Sequence, residues 1–178
     1  MKLITERLIM DEITMHYLQQ VHELHSLPET DRYNTLGIPT SLSQTEELLK
    51  SWISLVNTSP KNKFVFVLLH KDTGAFTGLF GINMGKPNYR NAEIWYKLLP
   101  AYWNKGYATE CTGEILRLCF NELGLHRVEA GCAVDNLASV KVLEKSGFIK
   151  EGRTRKLLPI RGEWVDNYFY AILEEDFK

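Results

Sequence analysis

The sequence predicts an α/β fold in which helices flank a mixed, mostly antiparallel sheet. Apolar runs of strand length lie in the middle of the chain, two amphipathic segments precede them, and strands alternate with helices after them. A chain of 178 residues with 44% hydrophobic content can bury one sizeable core. We therefore expect a single domain over residues 1–178.

The first half of the chain is predicted to contain a strand, two helices and a β-hairpin. Apolar residues at helical spacing predict the first helix, and a capping-box pattern that begins at Ser43 predicts the start of the second. Two apolar runs around a glycine-containing turn predict the hairpin. The predicted elements are a strand at residues 3–10, a helix at 14–25, a helix from the capping box to Pro60, and hairpin strands at 64–69 and 76–82.

The second half is predicted to alternate strands and helices. Gly124 and Gly147 each follow an apolar periodic segment, where glycine commonly ends a helix. The predicted elements are a strand at 92–98, a helix at 109–123, a strand at 127–134, a helix at 136–146, and strands at 148–154 and 164–173. This order predicts a sheet whose chain crosses over through the helix after Gly106.

A short basic turn between the strand that ends at Leu98 and the helix that begins near Thr109 is the first candidate for a binding site. Its sequence is Trp103-Asn104-Lys105-Gly106-Tyr107-Ala108. Gly106 allows a ligand to approach the backbone, and the first N–H groups of the following helix are unpaired and partly positive. The turn can therefore bind phosphate, although an ordinary strand-to-helix connection explains this segment equally well by itself.

Composition and charge disfavour several other classes of protein. The formal net charge of −1 argues against bulk binding of nucleic acid. The N-terminus carries charges and no long apolar run, so we expect no signal peptide or membrane span and a cytoplasmic location. The three cysteines form no C-x-x-C pair, which indicates reduced thiols in a core. His22 and His25 lack a third ligand at metal-binding spacing, so no metal site is expected.

Two segments together resemble the Gcn5-related N-acetyltransferase (GNAT) superfamily. The turn at residues 103–108 is similar to the family's Q/R-x-x-G-x-G/A turn, with Trp103 in place of the leading Gln or Arg. That departure is typical of the subgroup of ribosomal-protein alanine acetyltransferases of RimJ/RimL type. Residues 135–148 are similar to the subgroup's N-x-x-S-x-x-V-L-E-K-x-G-F signature, and Thr5-Glu6-Arg7-Leu8 also resembles it, so the resemblance covers nearly the full chain.

The resemblance implies a GNAT-like fold that uses acetyl-coenzyme A (acetyl-CoA) as the acyl donor and no metal. It implies that the turn binds the pyrophosphate of acetyl-CoA. The pantetheine arm would lie where the strand that contains Glu93 splays from the strand that begins at Arg127. The residues implied to bind the donor are Leu98, Trp103, Asn104, Lys105, Gly106, Tyr107, Ala108, Thr109, Asn136 and Ser139. Asn136 also stands where a residue caps the following helix.

Two residues are candidates for proton transfer. Many family members use a tyrosine at the position of Leu143 to protonate the departing thiolate, and the resemblance implies that Ser139, one helical turn earlier, takes this role. A Ser139 that only packs or bonds to its own helix is the alternative. Glu93 is the leading candidate for the base that deprotonates the amine through water, against an ordinary solvated glutamate. Alternation along the strand places Glu93, Trp95 and Lys97 on one face.

The sequence thus predicts an N-acetyltransferase that transfers acetyl directly from acetyl-CoA to a primary amine. The acceptor is either the N-terminal amine of a ribosomal or other protein, or a small amine such as a polyamine or an antibiotic. A non-catalytic acyl-CoA-binding sensor is the alternative from another class. Loops at residues 26–40, 84–90 and 157–163 are expected to border the acceptor. Exposed edge strands can pair two chains into a homodimer, and Trp95, Trp103 and Trp164 fit either a core or a cleft.

Overall fold

The computed structural model describes residues 1–178 and contains one eight-stranded sheet in the order β1-β2-β3-β4-β5-β6-β8-β7. Every neighbouring pair of strands is antiparallel except β5 and β6. The predicted mixed, mostly antiparallel sheet is confirmed. The strands are β1 (Lys2–Ile4), β2 (Leu8–Glu12), β3 (Lys63–His70), β4 (Phe76–Met84), β5 (Asn91–Leu98), β6 (Arg127–Ala133), β7 (Ile149–Ile160) and β8 (Glu163–Leu173).

Five α-helices lie against this sheet, and they divide the core into two layers. The helices are α1 (Leu18–Ser26), α2 (Pro28–Asp31), α3 (Leu42–Val56), α4 (Tyr107–Arg117) and α5 (Leu137–Lys145). Side chains alternate between the layers along β3, because successive residues of a strand point to opposite faces. Phe64, Phe66 and Leu68 join the core beneath α4, whereas Val65 and Val67 join the core beneath α1 and α3.

The N-terminal segment differs from the prediction of one strand at residues 3–10. It forms a hairpin of β1 and β2, because Thr5 makes a turn: its N–H donates to the carbonyl of Leu8 (2.9 Å) and its hydroxyl accepts from the N–H of Leu8 (3.0 Å). The predicted helix at 14–25 begins with a 3₁₀ turn at Met15–Tyr17 and becomes α-helical at Leu18. The sheet therefore has one strand more than expected.

The second predicted helix is present, but its N-cap lies two residues before the predicted one at Ser43. Ser41 is the N-cap, and its side chain accepts from the N–H of Gln44 (3.3 Å). The side-chain oxygen of Gln44 in turn accepts a hydrogen bond from the N–H of Thr40 (2.8 Å). The box is thus Ser41 to Gln44 rather than the pattern starting at Ser43, because two serines two residues apart offered alternative starts.

The remaining differences concern the ends of elements. α4 begins at Tyr107 instead of Thr109 and continues into a π-helical turn at Leu118–Glu122. β7 extends to Ile160, so residues 157–160 are strand and not loop, because the two-residue turn Arg161-Gly162 joins it directly to β8. The segment 26–40 contains the short helix α2.

A gap between β5 and β6 is the feature that positions the candidate site. The two strands pair in parallel only at Asn91, Ala92 and Glu93, opposite Arg127 to Glu129. Beyond this point β5 runs to Leu98 and remains paired only with β4, while β6 remains paired only with β8. The expected splay is present, and it opens the sheet next to the turn that leads into α4.

Candidate active site

The turn before α4 presents six consecutive backbone N–H groups without partners in the protein. The N–H groups of residues 104–109 donate no hydrogen bond, and intrahelical bonding begins with the N–H of Glu110 to the carbonyl of Gly106 (3.0 Å). Asn104 and Gly106 both have positive φ (57° and 80°), which turns the chain sharply before the helix. Unpaired amides at a helix N-terminus form a site for an anion.

The N-terminal hairpin holds this turn in place from outside. Glu110 of α4 accepts hydrogen bonds from the Thr5 hydroxyl (2.6 Å), the Arg7 N–H (2.7 Å) and Arg7 Nε (2.7 Å). Arg7 Nη1 donates to the carbonyl of Lys105 (2.9 Å), and the Arg7 guanidinium lies 4.4 Å from the centre of the Tyr107 ring. The Thr5 to Leu8 motif therefore buttresses the turn, a role that the sequence alone did not indicate.

Trp103, which stands in place of the family's Gln or Arg, closes the turn onto β5. Its indole Nε1 donates to the carbonyl of Leu98 (2.8 Å), and its side chain is 42% exposed. Lys105 is exposed, with its ammonium 5.6 Å from the Tyr102 ring centre. Trp103 thus belongs to the frame of the turn, and Trp164, which lies on β8, is 63% exposed.

Backbone groups of β5 face the gap. The N–H of Leu99 donates to Thr77 of β4 (2.9 Å). Because alternate residues of an antiparallel strand bond to the same neighbour, the N–H and C=O groups of Tyr96 and Leu98 point away from β4. These groups have no partner strand on the gap side. The C=O of Leu98 is occupied by Trp103 Nε1, whereas the N–H of Leu98 and both groups of Tyr96 are available to bind the amides of an extended arm and to polarise a carbonyl.

Helix α5 brings the Ser139 hydroxyl to the gap, where it meets the hydroxyl of Tyr96 from β5. Asn136 caps the helix by accepting from the N–H of Ser139 (3.2 Å), which confirms the predicted cap. Ser139 Oγ lies 2.8 Å from the hydroxyl of Tyr96, and Leu143 is fully buried at the position of the family's tyrosine. Burial raises the pKa of Tyr96 above its usual value, against the opposing effect of the Ser139 hydrogen bond, so its phenol stays protonated.

A cavity of about 540 Å³ passes through the gap and joins the two faces of the sheet. Tyr96, Asn136 and Ser139 line it on the face of α4 and α5. Residues of α1, α3 and the opposite face of β5 line the other half, and residues 33–36 and Leu157 close it. The loop at residues 84–90, expected to border the acceptor, contributes nothing to the lining, because it forms a 3₁₀ turn at Pro87–Tyr89 beyond the far end of β5.

Glu93 lies in the half of the cavity away from Ser139. The register places Lys63, Asn83 and Glu93 side by side on three neighbouring strands, and Lys63 Nζ donates to Asn83 Oδ1 (2.6 Å). The Glu93 side chain is exposed, but partial loss of hydration at its carboxyl and the charge of Glu129 raise its pKa, and Lys63 opposes this shift. A carboxyl with a raised pKa is a better base than an ordinary glutamate.

A buried lysine and histidine occupy the same half of the cavity. Lys97 and His25 are 7% and 3% exposed, and Lys97 Nζ lies 2.9 Å from His25 Nδ1. Burial, together with the charge of Lys97, lowers the pKa of His25 to about 3, so the imidazole is neutral. Burial lowers the pKa of Lys97 to about 8, with Asp31 acting in the opposite direction.

The structure brings only some of the predicted residues together. Glu93, Asn136 and Ser139 line one cavity, with Glu93 on the opposite face of β5 from Ser139, whereas the residues from Trp103 to Thr109 form the neighbouring turn. Sequence reasoning missed Tyr96 as a partner of Ser139. The alternation that put Tyr96 on the opposite face from Glu93 was the available signal.

Three further observations concern metals, membranes and cysteines. No group of three or more His, Cys, Asp or Glu side chains is arranged to hold a metal ion. None of the helices combines the length and the apolar character needed to cross a bilayer. The three cysteines are buried and free.

Comparisons with known proteins agree on one family. Residues 7–149 match the family described as "Acetyltransferase (GNAT) domain". YnaD, an uncharacterized N-acetyltransferase of Bacillus subtilis, is 34% identical over 177 residues, which span 99% of both chains. A crystal structure of a GNAT-family acetyltransferase from Bacillus anthracis superposes with a TM-score of 0.85 at 29% identity, over 98% of this chain and 99% of the other. Spermidine N-acetyltransferase from Vibrio cholerae, solved with CoA and spermine, shares the fold at 23% identity and a TM-score of 0.84, over 96% of this chain and 98% of the other. The chain belongs to the GNAT family of N-acetyltransferases, which use acetyl-CoA as the acyl donor.

Proposed function

We propose that residues 1–178 act as one catalytic domain in which the turn before α4 holds the diphosphate of acetyl-CoA and the gap between β5 and β6 holds its pantetheine arm. The six unpaired N–H groups of residues 104–109, directly beside the gap, carry this proposal. Their number suits a diphosphate, since each phosphate oxygen can accept more than one hydrogen bond. Leu98 and Asn136 would bind the amides of the arm, Leu98 through its free N–H and Asn136 through its side chain.

Tyr96 and Ser139 are the proposed source of the proton for the departing thiolate. Their hydroxyls are 2.8 Å apart on the wall of the gap, so a proton given up by one can be replaced by the other. The backbone N–H of Tyr96 faces the same gap and can stabilise the oxyanion that forms when the amine attacks. This pair would replace the single tyrosine that many family members carry where this chain has Leu143.

Glu93 is the proposed base. It lies on the side of β5 opposite to Ser139, so an amine that enters between β5 and α3 meets the carboxylate before it meets the thioester. Its raised pKa favours acceptance of a proton at neutral pH, directly or through a water molecule.

Direct transfer, without an acyl-enzyme, is favoured by the state of the only thiol that lines the cavity. Cys132 is 7% exposed, and burial raises its pKa to about 11. A thiol with so high a pKa supplies little thiolate at neutral pH and is a poor nucleophile.

The N-terminal amine of a protein is one proposed acceptor, since residues 135–148 resemble the RimJ/RimL signature. A small amine is the other, since a spermidine acetyltransferase shares the fold.

The test measures release of CoA thiol from acetyl-CoA with N-terminal peptides and small amines as acceptors, together with CoA binding by calorimetry. We expect thiol release that depends on the amine, and loss of most of it in the Tyr96→Phe/Ser139→Ala double variant. Tight CoA binding without amine-dependent release would instead support a sensor.

A further inference from the structure

The half of the cavity that α1 and α3 line, where the acceptor amine is proposed to enter, contains a buried cation without an anionic partner. Lys97 is 7% exposed, and its ammonium contacts His25 Nδ1 at 2.9 Å instead of a carboxylate. Asp31 is the carboxylate whose charge acts on Lys97, but the two side chains form no ion pair: Asp31 Oδ2 accepts from Arg161 Nε (3.2 Å), and Asp31 Oδ1 is buried without a hydrogen-bond partner. An ammonium held away from water is costly unless it is paired, so a site that retains one is suited to an anion.

His25 adds an unpaired donor to the same place. Lys97 can only donate, so the neutral imidazole accepts at Nδ1 and carries its proton on Nε2. Nε2 is buried and has no hydrogen-bond partner in the protein. Lys97 and His25 therefore line the cavity with two donors that lack a full complement of acceptors.

The charge of the whole cavity points in the same direction. Its charged lining consists of Lys63 and Lys97 against Glu93 alone. The charge of Lys63 already offsets that of Glu93, with which it lies in one row across β3, β4 and β5, and Lys63 also donates to Asn83 in that row. A polycation would find one carboxylate and two ammonium groups, which is the wrong balance for a polyamine.

Two tryptophans form the wall between these charged ends. The rings of Trp52 and Trp95 lie 5.4 Å apart, and both line the cavity. Trp95 covers Gly81 of β4 so closely that a Cβ there would come within 2.1 Å of the indole. The wall is thus fixed in position and presents an aromatic surface to the acceptor.

We propose that the acceptor is an amine that also carries a carboxylate, which Lys97 and His25 bind while the Trp52–Trp95 wall packs against its apolar part. This proposal rests on the acetyl site proposed above, because the amine must reach the gap between β5 and β6. The carboxylate is either the α-carboxylate of an amino acid or an acidic side chain near the N-terminus of a peptide.

The experiment compares matched acceptors that differ only in this charge. Phenylalanine is paired with phenylalaninamide, Ala-Asp-amide is paired with Ala-Asn-amide, and spermidine serves as the polycation. Thiol release from acetyl-CoA gives kcat/KM, expressed per neutral amine so that differences in amine pKa do not contribute. The proteins are the wild type, Lys97→Met and, as a control, Lys71→Met, which changes an exposed lysine in the β3–β4 turn.

We expect one acid to exceed its neutral partner by about tenfold or more in the wild type and in Lys71→Met, and by less than about twofold in Lys97→Met. The pair that shows the preference identifies the source of the carboxylate. Equal rates within both pairs, a higher kcat/KM for spermidine, or an unchanged preference in Lys97→Met would overturn the proposal.

Binding of N-acetylated products separates this proposal from the proposed function. In the presence of CoA, N-acetylphenylalanine or N-acetyl-Ala-Asp-amide should raise the melting temperature of the wild type more than its neutral counterpart does. A carboxylate preference in binding without any acetyl transfer would contradict the function and support the anion site. Acetyl transfer without a carboxylate preference would support the function and contradict the anion site. Both results are measured on the wild type, so they stand even if Lys97→Met fails to fold.

Discussion

Replacing Glu110 by glutamine should loosen the turn that is proposed to hold the diphosphate. Glu110 is the point where three donors from the N-terminal hairpin meet α4, and its side chain is only 15% exposed. In Glu110→Gln one oxygen can still accept from Thr5 and the Arg7 N–H. The new amide NH₂ then faces Arg7 Nε, so one charge-assisted hydrogen bond is replaced by two opposed donors.

The loss of that bond sets the expected magnitude. A hydrogen bond to a charged group in a partly buried place contributes about 1.5–3 kcal/mol, so we expect the free energy of unfolding to fall by about 2 kcal/mol. For a domain of this size the melting temperature should then fall by about 4–8 °C. Glu46→Gln breaks the exposed pair of Glu46 with Lys50 on α3 and should cost less than about 0.5 kcal/mol.

The difference between wild type and Glu110→Gln should depend on pH. Burial by itself raises the pKa of Glu110, but the hydrogen bonds from Thr5 and Arg7 outweigh burial and lower the pKa. A group with a lowered pKa in the folded state stabilises the fold above its unfolded pKa and loses that effect as pH falls through the folded pKa. The difference should therefore be complete at pH 7 and shrink below about pH 4.

Two assays decide whether this buttress serves the donor site. Urea unfolding at pH 7 and at low pH measures stability, and steady-state kinetics compare acetyl-CoA with acetyl-pantetheine, which lacks the diphosphate. We expect the KM for acetyl-CoA to rise by about threefold or more, with no change for acetyl-pantetheine, because a loosened turn is less preorganised. An equal change for both donors would contradict a role of Glu110 in the donor site, and a stability loss no larger than that of Glu46→Gln would contradict the strength assigned to its hydrogen bonds.

Three further predictions address the remaining parts of the site. Tyr96→Phe and Ser139→Ala should each lower kcat by about tenfold to a hundredfold with little change in the KM for acetyl-CoA. The kcat of the double variant should be no lower than that of the less active single variant, whereas multiplicative losses would show that the hydroxyls act independently. Glu93→Gln should lower kcat/KM most on the acidic side of the amine's pKa, and the acidic limb that the raised pKa of Glu93 sets in the pH–rate profile should disappear. An unchanged pH–rate profile would exclude Glu93 as the base. Gly106→Ala should cost about 1 kcal/mol of stability, because φ is +80° there, and should raise the KM for acetyl-CoA. Gly113→Ala, in the open middle of α4, should instead stabilise the protein. Equal effects of the two substitutions on the melting temperature would contradict this prediction.

Much of the fold was predictable because its signals are local. The apolar runs around the β3–β4 turn, the glycine after α5 and the cap at Asn136 are each read within a few residues, and each is found in the structure. The start of α3 was placed two residues late, because Ser41 and Ser43 both fit a cap and only the structure chooses between them.

The site was less predictable because its contacts are long-range. Thr5 and Arg7 reach Glu110 across more than a hundred residues, and no spacing rule connects them. The 2.8 Å contact between Tyr96 and Ser139 likewise joins a strand to a helix 43 residues away. Lys97 was read as one member of an alternating strand face, where a lysine normally faces water, and its burial against His25 depends on how α1 packs.

A crystal structure of the protein with CoA would show directly whether the turn before α4 and the gap between β5 and β6 hold the donor. We expect the diphosphate oxygens to accept hydrogen bonds from backbone N–H groups within residues 104–109. We also expect the CoA sulfur to lie in the gap between β5 and β6, within hydrogen-bond distance of the hydroxyl of Tyr96 or Ser139. A diphosphate bound away from this turn, or a sulfur outside the gap, would contradict that placement.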